Sequence, residues 1–238
     1  MQYDGFTFEK LDIADRELVP ALFEKYHFTK VSNIQNKSIE LSILFSIPAS
    51  LGLIIASEEI VNGLFGYGSF TQEDVEITSY ALMFFGYGVV AFALVKILAN
   101  FFFARDNTKT PFYISSFIVF LNVIISLSFF NSLGFIIIPI ATSISTWIGV
   151  FIYLFLLKKN SFLVIQKELF LNILKIVIST IIMSLVLLLT LEKYASYFDY
   201  DYKYKSIYLF IIIGFAGIVY LLSCNLLGLL KIRNYKAN

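Results

Sequence analysis

The chain has 238 residues, 58% hydrophobic and 15% charged, with a mean hydropathy of +0.80. Soluble domains average roughly 45–50% apolar and 25% charged, and the excess here falls in blocks of about 20, the length of a bilayer-crossing helix. A net charge of +1 gives no reason to expect nucleic acid, and one cysteine, Cys224, excludes an internal disulfide or a cysteine metal cluster.

Residues 1–37 are polar and mixed in charge and lack the basic and apolar regions of a signal peptide. They read as a cytoplasmic lead-in, with a short amphipathic helix expected over 12–26 and broken at Pro20. The single histidine, His27, lies in this stretch and reads as a surface residue. No metal ligand and no cofactor is expected. The first span is expected at 39–55, with Pro48 and Gly52 inside and Glu58 and Glu59 closing it. Residues 62–70, NGLFGYGSF, read as a glycine-rich turn. Gly66-Tyr67-Gly68 is similar to a potassium-filter sequence. No Thr-Val precedes it, however, and the triplet recurs at 86–88, so glycines for a turn and for close helix packing suffice. Thr71 and Asp74 have capping-box spacing and should start the next helix.

The second span, 77–103, carries Lys96. A lysine in an apolar run is costly and is a functional-site hypothesis by default. Asn100 follows at i+4 on the same face. Arg105 lies nine residues on, about 13 Å along a helix, farther than a lysine stem reaches. That face therefore points into protein or water; snorkelling toward Arg105 or a plain helix–helix bond is the alternative. The charged turn 105–111, RDNTKTP, ends at Pro111, suited to a helix first turn. The third span is 111–130, with Asn122 and Ser126 on one face, and 131–134 is a tight turn. The fourth, 135–157, has Thr142, Ser145, Thr146 and Gly149 on a packing stripe. A polar connection follows, with an apolar middle suited to the interface. The fifth span is 169–191, a tyrosine-rich stretch at headgroup level covers 191–205, and the sixth is 206–230.

The fold class is thus all-α and polytopic, with six transmembrane helices: a lead-in at 1–37, a four-helix region at 38–159 and a two-helix region at 160–238. Thirteen of the 18 Lys and Arg fall in the lead-in, the 105–109 turn, the 158–167 connection and the C-terminal end. Three fall in the opposite connections, all near residues 193–205, and two lie within spans. The positive-inside rule puts both termini in the cytoplasm.

Several stretches resemble one family. SIPASLGLIIASEEIVNGLFGYGSFTQEDVEITSYAL at 46–82 resembles the proline-containing helix, glycine-rich turn and next helix of MurJ/MviN-type lipid II flippases. VKILANFFFARDNTKTPFYIS at 95–115 is similar to the family's next helix and its D-x-K-T-P turn, with Lys96 matching a lysine there. LNVIISL at 121–127 and ATSISTWIGVFIYLFLLKK at 141–159 continue the likeness, which covers about 19–159. The resemblance implies a fourteen-helix fold, of which this chain would supply helices nine to fourteen. It implies passage of a lipid-linked peptidoglycan precursor across the bacterial inner membrane by alternating access. The first lobe and the two helices that open the second, with the family's cavity arginines, have no counterpart here. The chain is therefore expected to be a C-terminal part (a truncated gene product, a split-gene subunit or a mis-started frame), inactive alone, with the missing lobe on another chain as a partner.

The expected partners are a polyprenyl-diphosphate-linked sugar and membrane lipids. The candidate substrate-binding residues are Lys96, Asn100, Arg105, Lys109 and Asn122. A polysaccharide or drug exporter of the same superfamily, or a non-transporting membrane remnant or scaffold, is the alternative. An enzyme is not expected, because the carboxylates are scattered over both membrane faces. No G-x-x-x-x-G-K-[ST] phosphate loop exists in the sequence. Energy would come from an ion gradient, the membrane potential or the substrate's own gradient.

Overall fold

The computed structural model describes residues 18–229, with side chains from Val31 onward. Its elements are α1 (Leu18–Ile55), α2 (Ser57–Phe65), α3 (Gln72–Phe103), α4 (Lys109–Leu133), α5 (Ile137–Lys159), α6 (Lys167–Lys193) and α7 (Lys205–Leu226). Short 3-10 turns at Gly134–Ile136 and Ala195–Phe198 precede α5 and follow α6. No strand occurs among the described residues.

Five helical stretches are long and apolar enough to cross a membrane: Val31–Ile55, Gln72–Phe103, Lys109–Lys159, Lys167–Lys193 and Lys205–Leu226. The third has 51 residues, about 77 Å if it ran straight, more than twice a bilayer core of about 30 Å. It does not run straight. Gly134 adopts φ 60°, which ends α4, and α4 and α5 pack on each other. The helices form a row in the order α4, α5, α3, α1, α6, α7, with the short α2 joining α3 to α7.

Lipid tails are as apolar as leucine, so burial of greasy surface does not drive these helices together; close backbone approach and interhelical hydrogen bonds do. Gly86 lets α1 reach α3. A Cβ there would stand 2.9 Å from Ile54 Cγ1, and Ser50 Oγ donates to Gly86 O at 2.7 Å. On the other face of α3, Ser143 Oγ donates to Phe84 O at 2.7 Å and Trp147 Nε1 to Tyr87 O at 2.9 Å, both from α5. Ala91, Leu98, Phe102, Val150, Tyr153 and Leu157 fill the space between.

Two expectations change. Pro20 does not break α1, which runs unbroken from Leu18 to Ile55; residues 12–17 of the expected helix lie outside the described residues. Glu58 and Glu59 follow the first span, which ends at Ile55, and what differs is that they sit in the first turn of a short helix, α2, where carboxylates favour the helix dipole. Helix α2 extends to Phe65, so the glycine-rich turn shrinks to 66–70. The capping box forms as expected, Thr71 Oγ1 accepting from Asp74 N and Asp74 Oδ2 accepting from Thr71 N.

Candidate functional site

The C-terminal end of α3, the first turns of α4 and the middle of α5 enclose an open hollow of about 560 Å³. Its shape follows from how α3 ends. Asn107 N donates to Phe102 O at 3.1 Å while Asp106 takes the left-handed conformation at φ 55°. This tight closure turns the chain back within six residues, and Asn107 Oδ1 then accepts from Thr110 N to start α4. Lys96 and Asn100 line the hollow one helical turn apart, facing Thr108, Pro111, Ser115 and Tyr153. Both are exposed. Lys96 lies seven residues inside the end of α3, about 10 Å. A charge at that depth must meet water or protein rather than acyl chains. Lys109, next in the chain to Thr108, is exposed and is not part of the lining.

The other two candidates point elsewhere. Arg105 donates through Nη1 to Phe101 O and through Nη2 to Phe162 O, at 2.6 and 3.0 Å, and its guanidinium lies 4.4 Å from the Phe162 ring centre. Partial burial pulls its pKa below the ordinary arginine value; the group stays charged at neutral pH. It joins the end of α3 to the connection after α5. Asn122 lies eleven residues beyond Pro111, about 17 Å along α4. Its Nδ2 donates to Thr142 Oγ1 at 2.7 Å, and Ser126 Oγ reaches its Oδ1 at 3.5 Å. The structure thus brings Lys96 and Asn100 to one mouth and leaves Arg105, Lys109 and Asn122 outside its lining.

Sequence reasoning missed two polar centres. Lys205, read as one of the outer connection's cations, is completely buried at the start of α7. Its Nζ donates to Asn62 Oδ1 at 2.8 Å and to Gly66 O and Tyr200 O at 2.6 Å, between the Tyr67 and Tyr200 rings. Gly66 is required there, since a Cβ would stand 2.3 Å from Asn62 Oδ1. Two of the three acceptors are main-chain carbonyls, which leave no mark in a sequence. The second centre is Glu40, 8% exposed inside the first apolar stretch. It pairs with Lys37 and accepts from Asn172 Nδ2 at 3.0 Å. The signal that could have found it is a lone carboxylate one residue past the start of an apolar run. Among the described residues no group of three or more His, Cys, Asp or Glu side chains is placed to hold a metal ion.

Known proteins are similar to this chain in sequence and fold. A family model described as lipid II flippase MurJ matches residues 21–209. A protein of Rickettsia prowazekii (strain Madrid E) named probable lipid II flippase MurJ is 33% identical over 214 residues, covering 86% of this chain and 42% of its own length. A protein of the same name from Buchnera aphidicola subsp. Schizaphis graminum is 31% identical over 208 residues, covering 84% and 39%. A solved structure titled lipid II flippase MurJ, inward closed conformation, superposes with a TM-score of 0.69 at 27% identity over 84% of this chain and 39% of that one. The chain spans about two fifths of the length of these relatives.

Proposed function

Because this chain belongs to the MurJ family of lipid II flippases, we propose that it forms part of the route by which a polyprenyl-diphosphate-linked sugar crosses the bacterial inner membrane. One observation carries the reading. Lys96 and Asn100 stand uncovered at membrane depth over an open hollow. An ammonium group and an amide suit a diphosphate, whose charge a bilayer rejects. Counting α4 and α5 separately gives six crossings, and the Lys and Arg asymmetry puts this mouth and both chain ends in the cytoplasm. Arg105 would set the shape of the mouth by holding the end of α3 to Phe162. Asn122 would meet substrate deeper in the membrane, at the α4–α5 seam.

The work is transport, not catalysis. A row of helices has one face toward the substrate and cannot close a two-sided cavity, so the rest of the cavity must come from helices on a second lobe. Alone, this chain is inactive.

Proteoliposomes with fluorescent lipid II on one leaflet test both points. This chain alone should give no transfer. The chain reconstituted with a relative's first eight helices should transfer, and Lys96→Ala should cut the rate about tenfold, the loss of one charge-assisted contact. Transfer by the chain alone would overturn the need for a second lobe, and an unchanged rate in Lys96→Ala would overturn the site.

A further inference from the structure

A second hollow opens at the same membrane edge, between α1 and the start of α6, with a volume of about 580 Å³. Its chemistry differs from that of the Lys96 mouth. Of its nine lining residues, one is apolar and none is aromatic. Two ammonium groups, Lys37 and Lys167, face two carboxylates, Glu40 and Glu168, among amide side chains. The cleft is balanced in charge and rich in both donors and acceptors.

Its walls are built rather than incidental. Glu40 is held by Lys37 on one carboxylate oxygen and by Asn172 on the other. Asn36 Nδ2 donates to Ser32 O and Val164 O at 2.8 and 2.7 Å, and Asn36 Oδ1 accepts from Gln166 N at 3.1 Å. The α1 wall and the connection into α6 are therefore fixed to each other. A carboxylate can accept about four hydrogen bonds, so Glu40 keeps capacity for a donor in the cleft. Lys37 has about half its side chain exposed and keeps donors free for an acceptor.

Depth narrows the occupant. Ile39 and Leu169, both buried, begin the apolar parts of α1 and α6 beside the cleft. The cleft therefore opens at headgroup level. Paired charges of both signs match a zwitterionic headgroup better than an anionic one, which would leave Glu40 and Glu168 facing like charge. A primary ammonium donates three hydrogen bonds to such carboxylates. A quaternary ammonium donates none and is held by aromatic cages, which this cleft lacks.

We propose that this cleft binds the headgroup of an aminophospholipid, its ammonium toward Glu40 and Glu168 and its phosphate toward Lys37 and Lys167. The site is independent of the flippase reading. A bound lipid here would fill the seam between α1 and α6 and so hold the α6–α7 pair against the rest of the row.

The test uses the full chain in nanodiscs of equal parts phosphatidylethanolamine, phosphatidylcholine and phosphatidylglycerol, released from them into native mass spectrometry. Phosphatidylethanolamine should be retained above the other two, and Glu40→Gln should reduce that excess about tenfold, the worth of one hydrogen bond to a charged group. Equal retention of the three lipids, or preference for phosphatidylglycerol, would overturn the proposal. So would displacement of bound lipid by inorganic phosphate alone, which would mark a simple anion site. Should Glu40→Gln fail to fold, the exposed Lys167→Gln and Glu168→Gln carry the same expectation, and an unchanged lipid preference in both overturns it.

Discussion

Two lysines set the two ends of this molecule against each other. Lys96 stands in an apolar helix, exposed over an open hollow. Lys205, at the start of another, is sealed from solvent by three oxygens and two aromatic rings. The same ammonium group is structural where the chain supplies every acceptor and available for chemistry where it supplies none. Removing a buried ammonium strands its acceptors, whereas removing an uncovered one costs the fold little.

Thermal unfolding in detergent should separate the two sharply. Lys205→Met should lower stability by about 3 kcal/mol, because Asn62 Oδ1, Gly66 O and Tyr200 O lose their donor together. Lys96→Met should change it by less than about 0.5 kcal/mol. Equal losses would erase the distinction. Gly66→Ala attacks the same knot from its other side and should cost about 2 kcal/mol, since the new methyl group pushes Asn62 off the ammonium. Beside the Lys96 mouth, Arg105→Lys should cost about 1 kcal/mol, because a single ammonium cannot span Phe101 O and Phe162 O as the guanidinium fork does. Limited proteolysis should then cut the 160–166 connection sooner than in the parent chain.

The smallest effect concerns pH. Glu59 on α2 has its carboxyl pushed above the ordinary 4.5, chiefly by burial and further by Glu58. A raised carboxyl pKa favours the folded chain in acid, and that benefit is lost as pH rises through the raised value. Melting temperature should therefore fall slightly between pH 4.5 and neutrality, and Glu59→Gln should flatten the slope. An unchanged slope would place α2 in a more solvated setting than its packing against α3 and α7 indicates.

Hydropathy made the membrane helices legible, because about 20 apolar residues in a row have few other uses. The Thr71 capping box and the shared face of Lys96 and Asn100 were legible for the same reason: both are fixed by local helical spacing. What escaped depends on contacts between distant segments or on backbone groups. Helix α2 was hidden because Gly63 resembled turn punctuation; in the fold its missing side chain admits Leu209 of α7, whose Cδ2 would stand 2.9 Å from a Cβ there. The ends of α3 and α5 rest on Asp106 and Ser161, each at φ 55°, where a sequence reading looks for glycine. Lys205 counted as an outer cation because two of its three partners lie 139 and 143 residues away and the third is a main-chain carbonyl. Asn122 was placed on a polar face correctly, but its bond to Thr142 shows only when α4 and α5 are side by side.

The most direct measurement is photocrosslinking. A photoreactive amino acid is placed at position 96, and in a second variant at position 205, in cells that make lipid II and supply a relative's first eight helices. A diphosphate-linked lipid covalently attached at 96 and absent at 205 is the expected result. No attachment at 96, or equal attachment at both, would contradict a substrate path over the Lys96 hollow.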